Sequence, residues 1–274
     1  MGICALCGVT ATLRDSHYLP AAFFRRLHGQ EGGNTLPPIW LNAERAMYCC
    51  KQAQTKLLCD TCEHRFKVQG EDWLIECTYQ KDGRFPLRDL LLQSTPFGHV
   101  GQPLRANIYT GNKIPGLRHA EIIYFAASVF WRGWAFDWSR TSDAPQLDLP
   151  QGLGIGFRGF LLGKSPFPSS VVLTVEVALN PLLGMVFPQK LKPRKPNANL
   201  KNAGYFFVVF GITFSLYLDP GKTDGLRGKV TSIAEPPHPI FLTDVRMSEV
   251  HAGRETLEST AKRVGRLARS SIRD

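Results

Sequence analysis

Between Arg118 and Arg140 the chain places Ile122, Ile123, Phe125, Val129, Phe130, Trp131, Trp134 and Phe136 around most faces of a helix, with Gly133 as the only glycine. A helix that is apolar nearly all round lies buried between layers, so the pattern predicts a buried helix over about residues 118–140. Its tryptophans then belong to the core rather than to a base-stacking platform, and Arg132 either snorkels or pairs with a carboxylate. From about Gly152 the period changes. Val171 to Leu179 and Tyr205 to Leu218 are dense in β-branched and aromatic residues and predict strands over about 170–218. Near the end, Leu257, Ala261, Val264 and Leu267 recur at three and four residues, the spacing of an amphipathic helix over about 255–272. Closer to the start, Pro20 followed by Ala21 to Arg26 predicts a short helix. Gly29 to Pro38 has the composition of a loop, and Glu63 to Lys67, free of Gly and Pro, predicts the start of another helix.

These elements give an α+β fold in two regions: residues 1–85, then residues 86–274 with buried helix, antiparallel sheet and basic terminal helix. All seven cysteines lie in the first region. Cys4-Ala-Leu-Cys7 and Cys59-Asp-Thr-Cys62 share the Cys-x-x-Cys spacing, which lets two thiolates of one tight turn meet a tetrahedral ion at about 2.3 Å, so the two pairs supply the four ligands of a structural Zn²⁺. Cys49, Cys50 and Cys77 read as small buried apolar side chains. The odd number of cysteines and the absence of a signal peptide before the first pair argue for reduced thiols and a cytoplasmic setting. The longest uncharged apolar run, Gly204 to Leu218, is too short and too rich in β-formers for a membrane span, so no membrane partner is expected.

Charge narrows the partner class. The chain of 274 residues carries 33 Lys and Arg against 23 Asp and Glu, a net charge of +10, which favours polyanions through counterion release. Lys190, Lys192, Arg194 and Lys195 sit in a proline-broken loop, and Lys262, Arg263, Arg266 and Arg269 lie on the terminal helix. Both segments are candidates for phosphate contact, with solvated surface as the alternative for each. Glu71 and Asp72, after Gly70, read as solvated acids on the helix that leaves the cysteine site, Glu71 being the one within reach of it. His28 and His64 read as exposed or pairing residues.

Cys4-x-x-Cys7, Ser16-His17-Tyr18-Leu19-Pro20, Leu57-Leu58-Cys59-x-x-Cys62-Glu63 and Lys67 resemble the zinc-stapled branch of the HNH, or ββα-metal, endonucleases, over about the first 70 residues. The resemblance implies a treble-clef zinc module in which His17 is the general base, Gln54 stands where the family's Asn orients the loop, and Glu63 fills the slot of a metal-binding His. Lys67 lies one turn further along the same helix. Ser16 stands where the family has Asp or His, with Asp15 beside it as a substitute ligand, so Asp15 or Ser16 with Glu63 would hold a catalytic Mg²⁺ or Mn²⁺. The implied function is a metal-dependent DNA endonuclease or nickase, DNA being favoured over RNA, in phage defence or a mobile element. The alternative is a catalytically degenerate, zinc-dependent subunit that binds nucleic acid or a protein partner in a multi-subunit system. The later region shows no Ser-centred elbow, phosphate loop or paired catalytic carboxylates.

Overall fold

The computed structural model describes residues 1–28, 39–41, 46–48, 52–100, 106–142, 144–181, 184–191, 204–218 and 240–243. The basic segment at Lys192, Arg194 and Lys195, the glycine-rich stretch 29–38 and the terminal segment 255–272 lie outside these residues. The described elements are β1 (Gly2–Ile3), β2 (Thr10–Ala11), β3 (Leu13–His17), α1 (Ala21–His28), β4 (Ile39–Leu41), β5 (Ala46–Tyr48), β6 (Gln54–Cys59) and α2 (Asp60–Phe66). A π-helical turn (Lys67–Glu71) joins α2 to α3 (Asp72–Cys77), and then come α4 (Pro86–Leu92), β7 (Gly98–Val100), β8 (Ala106–Tyr109), α5 (His119–Ala135) and α6 (Gln151–Leu161). The chain continues with β9 (Val171–Ala178), β10 (Met185–Lys190), β11 (Tyr205–Val209), β12 (Ile212–Leu218) and β13 (Ile240–Thr243). The protein is thus a mixed α+β structure. Among the described residues no helix is long and apolar enough to cross a membrane.

Seven strands form one sheet in the order β10-β11-β12-β9-β13-β8-β7. Every neighbouring pair is antiparallel except β13 and β9, which run parallel. The uncharged, largely apolar character of Tyr205 to Leu218 follows from position: β11 and β12 are interior strands, and Phe207, Phe214 and Leu216 are fully buried. Phe207 and Phe214 stack with centroids 4.7 Å apart, and Phe125 of α5 packs on both.

On its other side α5 meets the helix that runs from Asp60 to Cys77. The crossing is close because Gly70 has no side chain: a Cβ there would stand 2.9 Å from the Phe125 amide nitrogen and 3.1 Å from the Glu121 carbonyl oxygen. With apolar residues on both sides, every residue of α5 from Ile122 to Gly133 is buried. One continuous cluster of buried side chains runs from Cys4 and Leu6 through α5 to Leu242. The cysteine-bearing segment and the sheet therefore share a core.

A second tie runs through α1. The Arg26 guanidinium donates to the Thr78 hydroxyl at 2.6 Å and to the Ile75 carbonyl at 2.9 Å, beyond the end of α3 where helix carbonyls lack partners. It also lies 5.3 Å from the ring of Phe210, the first residue of the tight turn between β11 and β12. Phe210 adopts φ of 41° and Gly211 φ of 85°, the left-handed pair that suits the twist of a two-residue hairpin.

Substituting Gly70→Ala tests the close crossing. Helix propensity alone would favour alanine by about 1 kcal/mol, but the added carbon meets backbone that cannot swing aside, and overpacking costs about 1–3 kcal/mol. The expected outcome is a lower melting temperature in thermal denaturation; a raised one would show that α5 yields at this point.

Candidate metal centre and the adjoining histidine

The four cysteines reach one point because two turns are held against each other. Cys4 and Cys7 lie in a loop between β1 and β2, closed by hydrogen bonds from Cys4 N–H to the Val9 carbonyl (2.9 Å) and from Gly8 N–H to the Cys4 carbonyl (2.8 Å). Gly8 has φ of 82°, a conformation in which a Cβ is disfavoured. Cys59 ends β6, and Cys62 sits in the first turn of α2. The β3–β6 ladder shifts register between Arg14 and Asp15, leaving Leu57 opposite no residue of β3. The Leu57 carbonyl instead accepts from Ala5 N–H at 3.0 Å, which fastens the first cysteine loop to the strand that delivers the second pair.

The four Sγ atoms all lie within 4.8 Å of one another, with Cys7 and Cys59 at 3.8 Å. Bonds of about 2.3 Å in a tetrahedron set sulfurs about 3.8 Å apart, so the set fits a single zinc ion with little movement. Burial pushes the Cys4 thiol up in pKa, but hydrogen bonds from the Cys7 and Cys59 backbones outweigh it and bring the group down to about 7. The Cys59 N–H points at Cys4 Sγ from 3.3 Å. Burial holds Cys59 and Cys62 above the ordinary thiol range; the other three sulfurs push Cys62 further up, whereas for Cys59 those of Cys4 and Cys7 raise it and that of Cys62 lowers it. Four thiols this close cannot all ionise unaided; a dication reverses that balance.

The residues expected beside this centre are placed differently from one another. His17 ends β3 directly opposite Gln54, the first residue of β6. Ser16 is fully buried, and its hydroxyl accepts from Leu58 N–H at 3.1 Å beside the register shift. This gives a physical reason for serine at the position, because the short hydroxyl satisfies a buried amide. Asp15 is exposed and paired with Lys56 at 2.9 Å. Glu63 is half-buried, and its Oε1 is buried without a hydrogen-bond partner among the described residues. Lys67 is exposed. Lys190 lies at the end of β10, 3.5 Å from Asp148.

Two residues whose charges act on His17, Glu71 and Arg132, carry more than their sequence context suggests. Glu71, expected as a solvated acid, is instead 14% exposed and accepts from Arg132 of α5 at 2.6 Å, while Arg132 is 2% exposed. The Arg132 guanidinium lies 4.7 Å from the Phe66 ring, and its Nε and Nη1 have no hydrogen-bond partner among the described residues. Tyr18, next to His17, stacks on Trp138 with centroids 4.7 Å apart, and the Trp138 indole N–H donates to the Arg132 carbonyl at 2.8 Å. Burial, then the positive charge of Arg132, hold the His17 imidazole below its ordinary pKa of 6.5, while Glu71 acts in the opposite sense. The one available signal for the pair was the lone arginine in an otherwise apolar helix, which either snorkels or pairs with a carboxylate; the partner's position 61 residues away was not legible.

Two outcomes are expected of this geometry. Purified protein binds one zinc ion per chain, and Cys62→Ser lowers both the zinc content and the melting temperature, because zinc binding supplies folding free energy; full zinc content and an unchanged melting curve would contradict it. Ser16→Ala loses about 1–3 kcal/mol in chemical denaturation by leaving the Leu58 amide unpaired; unchanged stability would show that the hydroxyl is free for another role.

Comparison of the chain with protein-family profiles, with curated proteins and with solved structures gives no match, so the reading of this centre rests on its own residues.

Proposed function

We propose that the protein is a zinc-stapled, metal-dependent DNA endonuclease or nickase of the HNH type, built on a treble-clef module with His17 as general base. The observation that carries this reading is the placement of His17 at the end of β3, opposite Gln54, on a strand pair that ends at Cys59 and runs straight into a helix bearing Cys62 and Glu63. A cysteine loop, a hairpin-like pair and a metal-anchored helix in that order are the frame that the sequence resemblance implies. Desolvation and Arg132 keep His17 unprotonated near neutral pH, as a base that takes a proton from water needs to be. Arg25 and Lys67 are exposed and have no ion-pair partner among the described residues, which suits a polyanion beside the site.

Mg²⁺ or Mn²⁺ would be held by Glu63, whose buried Oε1 has no hydrogen-bond partner among the described residues, and by Asp15 once it leaves Lys56. Such an ion would supply positive charge to offset that on a phosphate and its leaving oxygen. His17 accepts the proton of the attacking water, Gln54 orients the end of the strand pair, and Lys67 meets the nucleic-acid backbone. Phage defence or a mobile element is the setting proposed for this activity. One observation favours the second reading, a binding subunit that works with nucleic acid or a protein partner: the Ser16 hydroxyl is already engaged by Leu58 N–H and is withdrawn from metal ligation.

The test is nicking of supercoiled plasmid by zinc-loaded protein with Mg²⁺ or Mn²⁺, beside His17→Ala of matched folding. The expected result is metal-dependent cleavage that is lost in the variant, with the acid limb of the pH–rate profile below the ordinary histidine pKa of 6.5. Equal cleavage by His17→Ala removes His17 as the base, and no cleavage by the folded wild type under any metal condition favours the binding subunit.

A further inference from the structure

The seven-stranded sheet has a second face, turned away from α5, whose central residues are buried. The ladder registers set Val186 of β10, Val208 of β11, Thr213 of β12, Glu176 of β9, Phe241 of β13 and Ile108 of β8 in one row across it. Phe206, Ser215 and Thr174 form the neighbouring row on the same face. A sheet with helices on one face commonly leaves the other solvated. Here Thr174 and Ser215 are 3% exposed, Ile108 5% and Phe241 7%, and the Thr174 hydroxyl is sealed from solvent. The described helices send their buried apolar residues into the main core, whereas Ala106, Ile108 and Phe241 form a cluster of their own to which no described helix contributes. A further layer is therefore needed on this face.

The chain itself holds a segment suited to that layer. Thirty-one residues follow Thr243, the end of β13, and β13 lies inside the sheet between β9 and β8. At about 100° per residue, Leu257, Ala261, Val264 and Ala268 fall in one helical arc of about 60°, and Lys262, Arg263, Arg266 and Arg269 fall on the opposite side. A helix owes most of its stability to packing of such an apolar stripe. Residues 255–272 as a helix span about 27 Å, the width of about five or six strands. Residues 244–254 reach up to about 36 Å when extended, enough to return the helix over the face from the end of β13. We propose that the second face of the sheet is the docking site of the chain's own C-terminal segment, residues 255–272, laid on it as an amphipathic helix with its apolar stripe against Val208, Phe241 and Ile108. The layers then run from the helix of Asp60 to Cys77 through α5 and the sheet to the terminal helix. Lys262, Arg263, Arg266 and Arg269 face outward, separated from the cysteine centre by the sheet and α5.

The experiment places the photo-cross-linking residue p-benzoylphenylalanine at Phe206 or at Phe241, two aromatic positions of this face, in full-length, zinc-loaded protein at low concentration. Mass spectrometry after irradiation identifies the joined peptides. The expected result is cross-links within one chain to peptides of residues 255–272. Cross-links only to other segments, cross-links only between chains, as a second copy on this face would give, or none at all in folded protein overturn the inference. A second measurement compares melting temperatures of full-length Val264→Asp and Arg266→Ser. Val264→Asp sets a charge against the sheet and is expected to lower the melting temperature by about 4 °C or more with zinc content unchanged. Arg266→Ser, on the outward side, is expected to shift it by less than about 2 °C. An unchanged melting temperature in Val264→Asp overturns the docking, and this comparison decides the matter if neither cross-linking protein folds.

Discussion

Four sulfurs drawn from the two ends of a 59-residue segment, Cys4 to Cys62, and gathered within 4.8 Å form the constraint on which the N-terminal half depends. Neither cysteine loop has much structure of its own. The strands flanking the first are two residues long, and the strand pair that leads to the second is only five to six residues long. A pair of strands this small is marginal in water without further packing. A shared ion would close the segment and fix the start of α2, and the binding free energy of such sites in small peptides, about 10–16 kcal/mol, exceeds the whole stability of many domains.

The rest of the structure is arranged to receive that segment. Arg158 of α6 donates to the Leu6 carbonyl in the first cysteine loop at 2.6 Å. Arg26 joins the end of α3 to the β11–β12 turn, and Arg132 of α5 meets Glu71 in the π turn. Three arginines thus bind carbonyls or a carboxylate across element boundaries, a use for which the rigid, multi-donor guanidinium is better suited than lysine. A protein with a net charge of +10 spends several of its positive charges on its own architecture, so the charge total overstates what is free to meet phosphate.

Much of this was legible from residues. Identical Cys-x-x-Cys spacing announced the ligand set because the spacing is itself the geometry of a tight turn around an ion. The all-round apolar stretch near Phe125 marked a helix between layers, and α5 is sandwiched between the sheet and the helix from Asp60 to Cys77. What was not legible depended on contacts between distant segments. Ser16 looks like a weakened metal ligand in sequence, yet it answers a local need created by the register shift at Leu57, and no linear pattern reports a bulge. Glu71 follows a glycine among polar residues and looks like a surface acid; it turns inward because Gly70 lets α5 approach. Whether the two regions share a core was also undecidable from the chain, since it depends on Gly70 and Gly133 acting as points of close contact.

The most direct test of the central claim is X-ray absorption at the zinc edge of the purified, full-length protein. The account predicts four sulfur neighbours at about 2.3 Å and no lighter atom bound to the metal. A nitrogen or oxygen ligand in place of a sulfur, or protein that folds fully without zinc, would contradict it.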